Sequence, residues 1–424
     1  NNTNNTNNTN NTNNANNANN TNNTTTVNLE IDISGVSVSK PILFQKTSLH
    51  TNYHGRLSTS VRWLQSTATN GRRFMVTGGE DNAVKLFMYT NGTIQCLDSS
   101  EVHTSAVRAL TVIPLTSDIS MVFSGGGNNM LSFWTIDTSA SENTRLNLIA
   151  SHKQKSVVLN NQEMEDDDCR YMSMSSISCD DNKGRAIVMC GSSQGTVSLY
   201  SCSLQDREAI RHLHTFHLPG MARKPLLSLS SVSYQQHHLC VTGSTDGTIA
   251  VWDVTWAVEG RGVEGAEGAQ GSACPPSMMS PLIILPRHNM GVNAMATCIR
   301  PGVDNNECVI GIATGGDDNA VSYGILTYNT LTKNITTGWK TSITNAAASA
   351  IKSVWTNGLY VVATGWDQRL SVWNVNQDTT SLEFNNSTFI HVADCAALDV
   401  IHVDTNVCQI VVVGSGMELR KLNF

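Results

Sequence analysis

One unit recurs along the chain: an apolar run, a short polar turn rich in Gly, Asp and Asn, and an alternating run that closes on an aromatic residue. The clearest copies are Phe74–Phe87 (Phe-Met-Val-Thr-Gly-Gly-Glu-Asp-Asn-Ala-Val-Lys-Leu-Phe) and Leu239–Trp252 (Leu-Cys-Val-Thr-Gly-Ser-Thr-Asp-Gly-Thr-Ile-Ala-Val-Trp). Met121–Trp134, Ile187–Tyr200, Val309–Tyr323 and Leu359–Trp373 follow the same grammar, and a weaker last copy runs from Cys408 to Phe424. Each copy predicts a β-hairpin. A period of two puts Val84 and Leu86, or Ile249 and Val251, on one face of a sheet, and Gly or Asn in the turn accepts a positive φ. The turn Asp recurs as Asp81, Asp246, Asp318 and Asp367, with Asn128 and Gln194 standing in its place between them. Successive turns are 47, 66, 52, 72 and 49 residues apart.

The two long intervals hold insertions near 150–169 and 257–280. Without them the period falls to about 40–45 residues, the length of a four-stranded propeller blade. Between the hairpins lie the remaining strand candidates, such as Ile94–Leu97 with Val107–Val112, and Leu282–Leu285 with Val292–Cys298. Four strands in each of seven units predict an all-β, seven-bladed β-propeller. The last unit has only three strands before the chain ends, at Val392–His402, Gln409–Val413 and Glu418–Phe424. The apolar segment Val27–Gln45 is expected to add the fourth, closing the ring and covering its edge. Residues 1–26 are Asn, Thr and two Ala; nothing there offsets the entropy of ordering. They predict a disordered tail ahead of a propeller domain at 27–424. The first residue is Asn1 rather than Met, as expected of a piece of a longer protein.

Charge narrows the function. Only 14% of residues are Asp, Glu, Lys or Arg and the formal net charge is −7, so bulk electrostatic binding of nucleic acid is not expected. Contact with DNA is excluded on this reading, and any RNA contact is local or shared with a partner. No run of 18 apolar residues and no signal-peptide pattern occurs, which argues against a membrane. The 11 cysteines are scattered without a Cys-x-x-Cys, the usage of reduced, buried thiols in a cytosolic or nuclear protein; a cytoplasmic location is expected. The repeated Asn-Asn-Thr matters as a glycosylation acceptor only in a secreted protein.

The search for catalytic chemistry ends without a candidate. Gly191-Ser192-Ser193-Gln194-Gly195 fits the nucleophile-elbow pattern, but it occupies a hairpin turn followed by a strand, not a helix. The glycine-rich stretch 262–271 lacks the Lys-Ser/Thr ending of a phosphate cradle. His212, His214 and His217 have strand spacing but no Cys or carboxylate beside them, so alternating polar residues on an outer strand outweigh a zinc site. Arg56, Arg62, Arg72 and Arg73 form a local basic group, more often a solvated rim than a docking site for RNA or an acidic partner. The acidic run 163–168 is read as a solvated loop. No cofactor or metal is expected.

A His opens several units, in His103-Thr-Ser-Ala-Val107 and His288-Asn-Met-Gly-Val292, and Trp252-Asp253 closes one. With the turn Asp between, this resembles the WD-repeat family. The resemblance implies a buried network of His, Asp, Ser or Thr, and Trp, carried by His103, His288, Asp81, Asp246, Asp318, Asp367, Trp134, Trp252 and Trp373. His54 is the candidate for the first blade. The third, fourth and sixth have no evident His and should have incomplete networks.

Shorter motifs resemble one branch more specifically: Arg170-Tyr-Met-Ser173, His288-x-x-Gly-Val-Asn293, Asp367-Gln-Arg-Leu370, Val392-Ala-Asp394 and Gly414-x-Gly-x-Glu-Leu419. In order and blade they are similar to the C-terminal propeller of the WD-repeat protein six family, accessory subunits of the tRNA methyltransferase that modifies the wobble ribose 2′-oxygen. That resemblance implies a non-catalytic scaffold that binds the tRNA 2′-O-methyltransferase catalytic subunit and helps to position tRNA. Members of that family carry further propellers N-terminal to this one, and a fragment of a longer protein is expected to account for their absence from this sequence. The alternative is a general WD40 protein-interaction module of another cytosolic or nuclear complex.

Overall fold

The structure, a computed structural model, describes residues 41–424 except 51–52, 66–70, 140–142, 155–156, 160–161, 165–168, 180–183, 218–223, 261–279, 301–305, 340, 377, 405 and 424. The tail at 1–26, the segment 27–40, the glycine-rich stretch 262–271 and the acidic residues 165–168 lie outside the described residues.

Every repeat folds as an antiparallel sheet whose strands run outward in chain order. Blade 1 is Ser58–Trp63, Arg73–Gly79, Val84–Thr90 and Thr93–Ser100, and blade 2 spans Val107–Pro114 to Asn147–Lys153. Blades 3 to 6 begin with the inner strands Tyr171–Ser178, Leu226–Tyr234, Val292–Arg300 and Ile351–Thr356. Blade 7 has Ala397–Asp404, Val407–Gly414 and Gly416–Asn423, and its outer strand is Leu43–His50 from the other end of the domain. The expected closure at Val27–Gln45 is thus corrected to Leu43–His50; only residues 43–45 are shared. The reason is visible at Ile42, which is buried between blades 6 and 7. Its backbone N–H donates to Asn385 Oδ1 (2.8 Å), and its carbonyl accepts from Asn386 Nδ2 (2.8 Å). Those bonds start the pairing at Leu43.

The two middle strands of a blade are apolar on both faces because each sheet is covered on both sides by its neighbours. Phe74, Val76, Val84 and Leu86 of blade 1 meet Val107, Leu110, Val122 and Trp134 of blade 2. Equivalent clusters fill the other junctions, including blade 7 against blade 1, where Val411, Val413 and Leu419 meet Val61, Trp63, Met75 and Phe87. Among the described residues there are seven such clusters, one per junction, so the core is a ring of inter-blade layers. At about 25 cal/mol per Å² of buried apolar surface, these layers are the principal favourable term.

The middle turns show why Asn and Gly recur. Asn82, Asn129, Gly195, Gly247, Asn319 and Gln368 occupy equivalent places and all have φ between 50° and 83°, the region that Gly and Asn enter at least cost. The insertion after blade 2 forms a hairpin, Val157–Leu159 with Gln162–Met164. The one after blade 4 begins as a single helical turn, Thr255–Val258.

Candidate binding faces

The inner strands start beside the His-bearing loops and run to the opposite end of the axis, which defines an upper face (His loops and middle turns) and a lower face. On the upper face the His–Asp–hydroxyl part of the network is complete in two blades, which carry Phe87 and Tyr323 at the Trp position. In blade 1, His54 is fully buried, with Nδ1 on Asp81 Oδ1 (2.6 Å) and Nε2 on Thr77 Oγ1 (2.7 Å). In blade 5, His288 repeats this on Asp318 (2.9 Å) and Thr314 (2.9 Å). The paired glycines ahead of these turns follow from the packing. A Cβ at Gly79 or Gly316 would collide with the His54 or His288 ring. Burial lowers the His54 pKa, and its bond to Asp81 offsets only part of that.

The other blades vary the theme. In blade 2, Ser124 Oγ links His103 Nε2 (2.8 Å) and the Trp134 indole N–H (2.8 Å). Asn128 adopts φ 59° and donates to Thr104 instead (3.1 Å), leaving His103 Nδ1 buried without a partner. Burial alone takes the His103 pKa down to about 4. Blade 3 holds Tyr171 and Tyr200 in a relay: the Tyr171 hydroxyl donates to the Tyr200 hydroxyl (2.5 Å), which donates to Gln154 Oε1 (2.8 Å). In blade 4, Trp252 donates to Thr242 Oγ1 (3.2 Å), and Asp246 accepts from Thr248 and pairs with Lys224 (3.0 Å). Asp367 of blade 6 accepts from the backbone N–H groups of Ala348 and Arg369, and Trp373 packs edge-on against Phe384. The structure therefore gathers His, Asp and hydroxyl where sequence supplied all three, and leaves Asp246 and Asp367 to brace their own turns. Blade 7 carries a substitute that the repeat pattern did not reveal: Glu418 is fully buried, paired with Arg420 (2.5 Å), and accepts the His391 backbone N–H (2.8 Å).

The remaining sequence candidates fall as follows. Ser193 Oγ accepts the Arg170 backbone N–H (3.0 Å), inside a strand–turn–strand unit. His212 and His214 sit on the outer strand of blade 3, with His212 bound to Thr215 (2.8 Å). Among the described residues no group of three His, Cys, Asp or Glu is placed to hold a metal ion, and no helix is long and apolar enough to cross a membrane. Arg62 and Arg73 do not act as a rim patch; both line a cavity at the lower axial mouth.

The axis is polar. Hydroxyls tie neighbouring inner strands together: Thr111 with Ser176 (2.7 Å), Ser175 with Ser231 (2.7 Å) and Ser230 with Thr297 (2.8 Å). At the upper mouth, Lys352 lies over the Trp366 ring (4.2 Å to its centre) and pairs with Asp317 (3.0 Å), which also accepts from Asn293 (2.6 Å). Trp366 is 55% exposed, with Met290 and Phe389 also exposed on that face. A half-exposed indole fixed by a cation is the kind of anchor that protein interfaces use.

Comparison with known proteins agrees with this architecture. The model of the WD domain, G-beta repeat, matches residues 214–253. The crystal structure of the WD40 beta propeller domain of Doa1 superposes with a TM-score of 0.53 at 12% identity, covering 90% of this chain and 97% of that one. In sequence the chain is similar to the tRNA (34-2'-O)-methyltransferase regulator WDR6 of Mus musculus, 25% identical over 77% of this chain and 32% of the relative. The regulator of the same name from Rattus norvegicus is 27% identical over the same shares. The chain spans about a third of the length of these relatives. It folds as a seven-bladed WD40-type β-propeller, and its curated homologues include the tRNA (34-2'-O)-methyltransferase regulators named WDR6.

Proposed function

We propose that this propeller is a non-catalytic, cytoplasmic scaffold that binds the catalytic subunit of a tRNA 2′-O-methyltransferase and helps to position tRNA for methylation at nucleotide 34. The observation that carries the reading is the similarity to the WDR6 regulators over 367 residues. The molecule's own chemistry supports it. The His54 and His288 networks fasten loop to turn in blades 1 and 5, and the candidate nucleophile Ser193 is tied to backbone in a turn. The upper-mouth group of Trp366, Lys352 and Asp317 offers a mixed aromatic and charged contact for a protein partner. With a net charge of −7, tRNA is held jointly with the partner rather than by this chain alone.

The test is ribose 2′-O-methylation at nucleotide 34, read by mass spectrometry of digested tRNA from cells lacking the gene. Loss of the methyl group, restored by re-expression, is the expected result. Unchanged methylation overturns the reading in favour of a general interaction module. That second reading has one observation of its own: a 74-residue stretch is 35% identical to "Cell division cycle 20.1, cofactor of APC complex" of Arabidopsis thaliana, over 16% of the chain.

A further inference from the structure

The lower axial mouth holds a cavity of about 520 Å³ lined by Arg62, Trp63, Arg73, Trp355, Asp399 and His402, among others. It is built from four blades, with Thr111 and Val112 of blade 2 completing the wall. Arg62 and Trp355 are the fifth residues of the inner strands of blades 1 and 6, paired with Val76 and Val362, and Asp399, third in Ala397–Asp404, takes the corresponding place in blade 7 opposite Val411. Period two and the shared register turn all three toward the axis.

Among the described residues the charged groups of this cavity form no salt bridge; burial pushes the Asp399 carboxyl pKa up, and the nearby Arg62 guanidinium favours its ionised form. Asp399 Oδ2 accepts the Trp63 backbone N–H (2.7 Å). Arg62 bonds only the Val61 carbonyl (2.9 Å) and, like Arg73, makes no ion pair among the described residues. The Trp63 indole N–H is buried without a hydrogen-bond partner, although the residue is 4% exposed and lines the cavity. A buried donor left open costs about 1–3 kcal/mol, so a site that keeps one fits a ligand that supplies the acceptor. The Trp355 indole, 5.9 Å from the His402 ring, adds an aromatic wall.

We propose that this cavity binds a guanine nucleotide. An aromatic wall takes a base face, as Trp does in single-strand recognition. Asp399, acceptor-only when ionised, matches the N1–H and N2–H donors on the guanine edge, whereas adenine turns an acceptor to the same carboxylate. The Trp63 indole N–H donates to the base oxygen, and Arg62 and Arg73 take the phosphate. An acidic peptide side chain would use the arginines but would meet Asp399 as a like charge. The inference stands apart from the methyltransferase reading. The nucleotide is either free or part of an RNA strand, and the two share this chemistry.

The experiment is titration of the full chain with GMP, AMP, orthophosphate and the trinucleotide UGU, read by calorimetry. GMP is expected to bind, with AMP at least about tenfold weaker, the size of one bidentate base contact. Asp399→Asn, which keeps an acceptor for Trp63, is expected to bring GMP to the AMP level while the melting midpoint holds. Trp355→Leu is expected to weaken both nucleotides. Tighter binding of UGU than of GMP assigns the site to RNA, and equal binding assigns it to the free nucleotide. No GMP binding at millimolar concentration overturns the proposal. So does equal binding of GMP and AMP, or orthophosphate binding as well as GMP does.

Discussion

At the scale of single residues, the buried polar groups of the upper face carry the sharpest consequences. His103 sits neutral with a pKa taken to about 4 by burial, against about 6.5 in the unfolded chain. Its folded pKa is the lower one, so the unfolded state binds the extra proton. Stability is whole above about pH 6.5 and falls as pH drops toward 4, by roughly 3 kcal/mol across the window. Melting curves of His103→Gln should lose part of the acid sensitivity of the parent between those values; an unchanged pH slope would contradict the assignment. Glu418 and Arg420 form the other test. Removing one member strands a buried charge at a cost of about 3–5 kcal/mol, while replacing both with apolar residues can be nearly neutral. Arg420→Met is therefore expected to lower the denaturation midpoint far more than the pair Arg420→Met with Glu418→Leu, as chemical unfolding would show. These residues differ in how legible they were. His103 and His288 stood out 25 and 30 residues before the turn positions Asn128 and Asp318, and His54, 27 residues before Asp81, was recognisable by similar spacing. The Glu418–Arg420 pair occupies alternate positions of a strand that reads as ordinary amphipathic sequence, and only its burial distinguishes it.

Among elements, the outer strand of blade 7 decides whether the ring is closed. Leu43–His50 pairs with Gly416–Asn423 along its length, and Thr47 Oγ1 accepts from Gln409 Nε2 (3.0 Å). Deleting residues 43–50 leaves an open edge on Gly416–Asn423 and uncovers the cluster around Ile42. Thermal unfolding should then broaden and begin several degrees lower; an unchanged midpoint would show that closure adds nothing. That such a strand was needed followed from counting three strands in the last repeat. Its position did not, because 27–45 and 43–50 are both acceptable strands and the choice rests on where Ile42 is buried. The middle turn of blade 6 is the complementary case. Trp366 lies in a turn whose conformation was legible from Gly365 and Asp367, but its stacking with Lys352 joins that turn to the inner strand of the blade. Trp366→Ala should leave stability within about 0.5 kcal/mol, as for an exposed side chain. It should also weaken capture of the methyltransferase subunit by about 2 kcal/mol or more, as for an interface tryptophan, measured by surface plasmon resonance.

For the whole molecule, the electrostatic balance predicts how RNA is handled. A chain with net charge −7 should bind tRNA weakly and with a shallow dependence on salt, since it neutralises few phosphates, and should bind it better and with a steeper salt dependence once joined to a basic partner. Filter binding with and without the methyltransferase subunit checks this; equal affinity in both would mean the chain grips tRNA unaided. The sequence by itself determined the number of blades, the four-stranded unit, the turn residues and the apolar faces. All of these are local or periodic, and a period survives being read one repeat at a time. Tertiary structure decided which residues share the axis. Arg62, Trp355 and Asp399 are far apart in the chain and unremarkable in their own strands, and they meet only because seven blades of equal register close into a circle. The strand that closes that circle was decided the same way, since the burial of Ile42 between blades 6 and 7 exists only once the ring has formed.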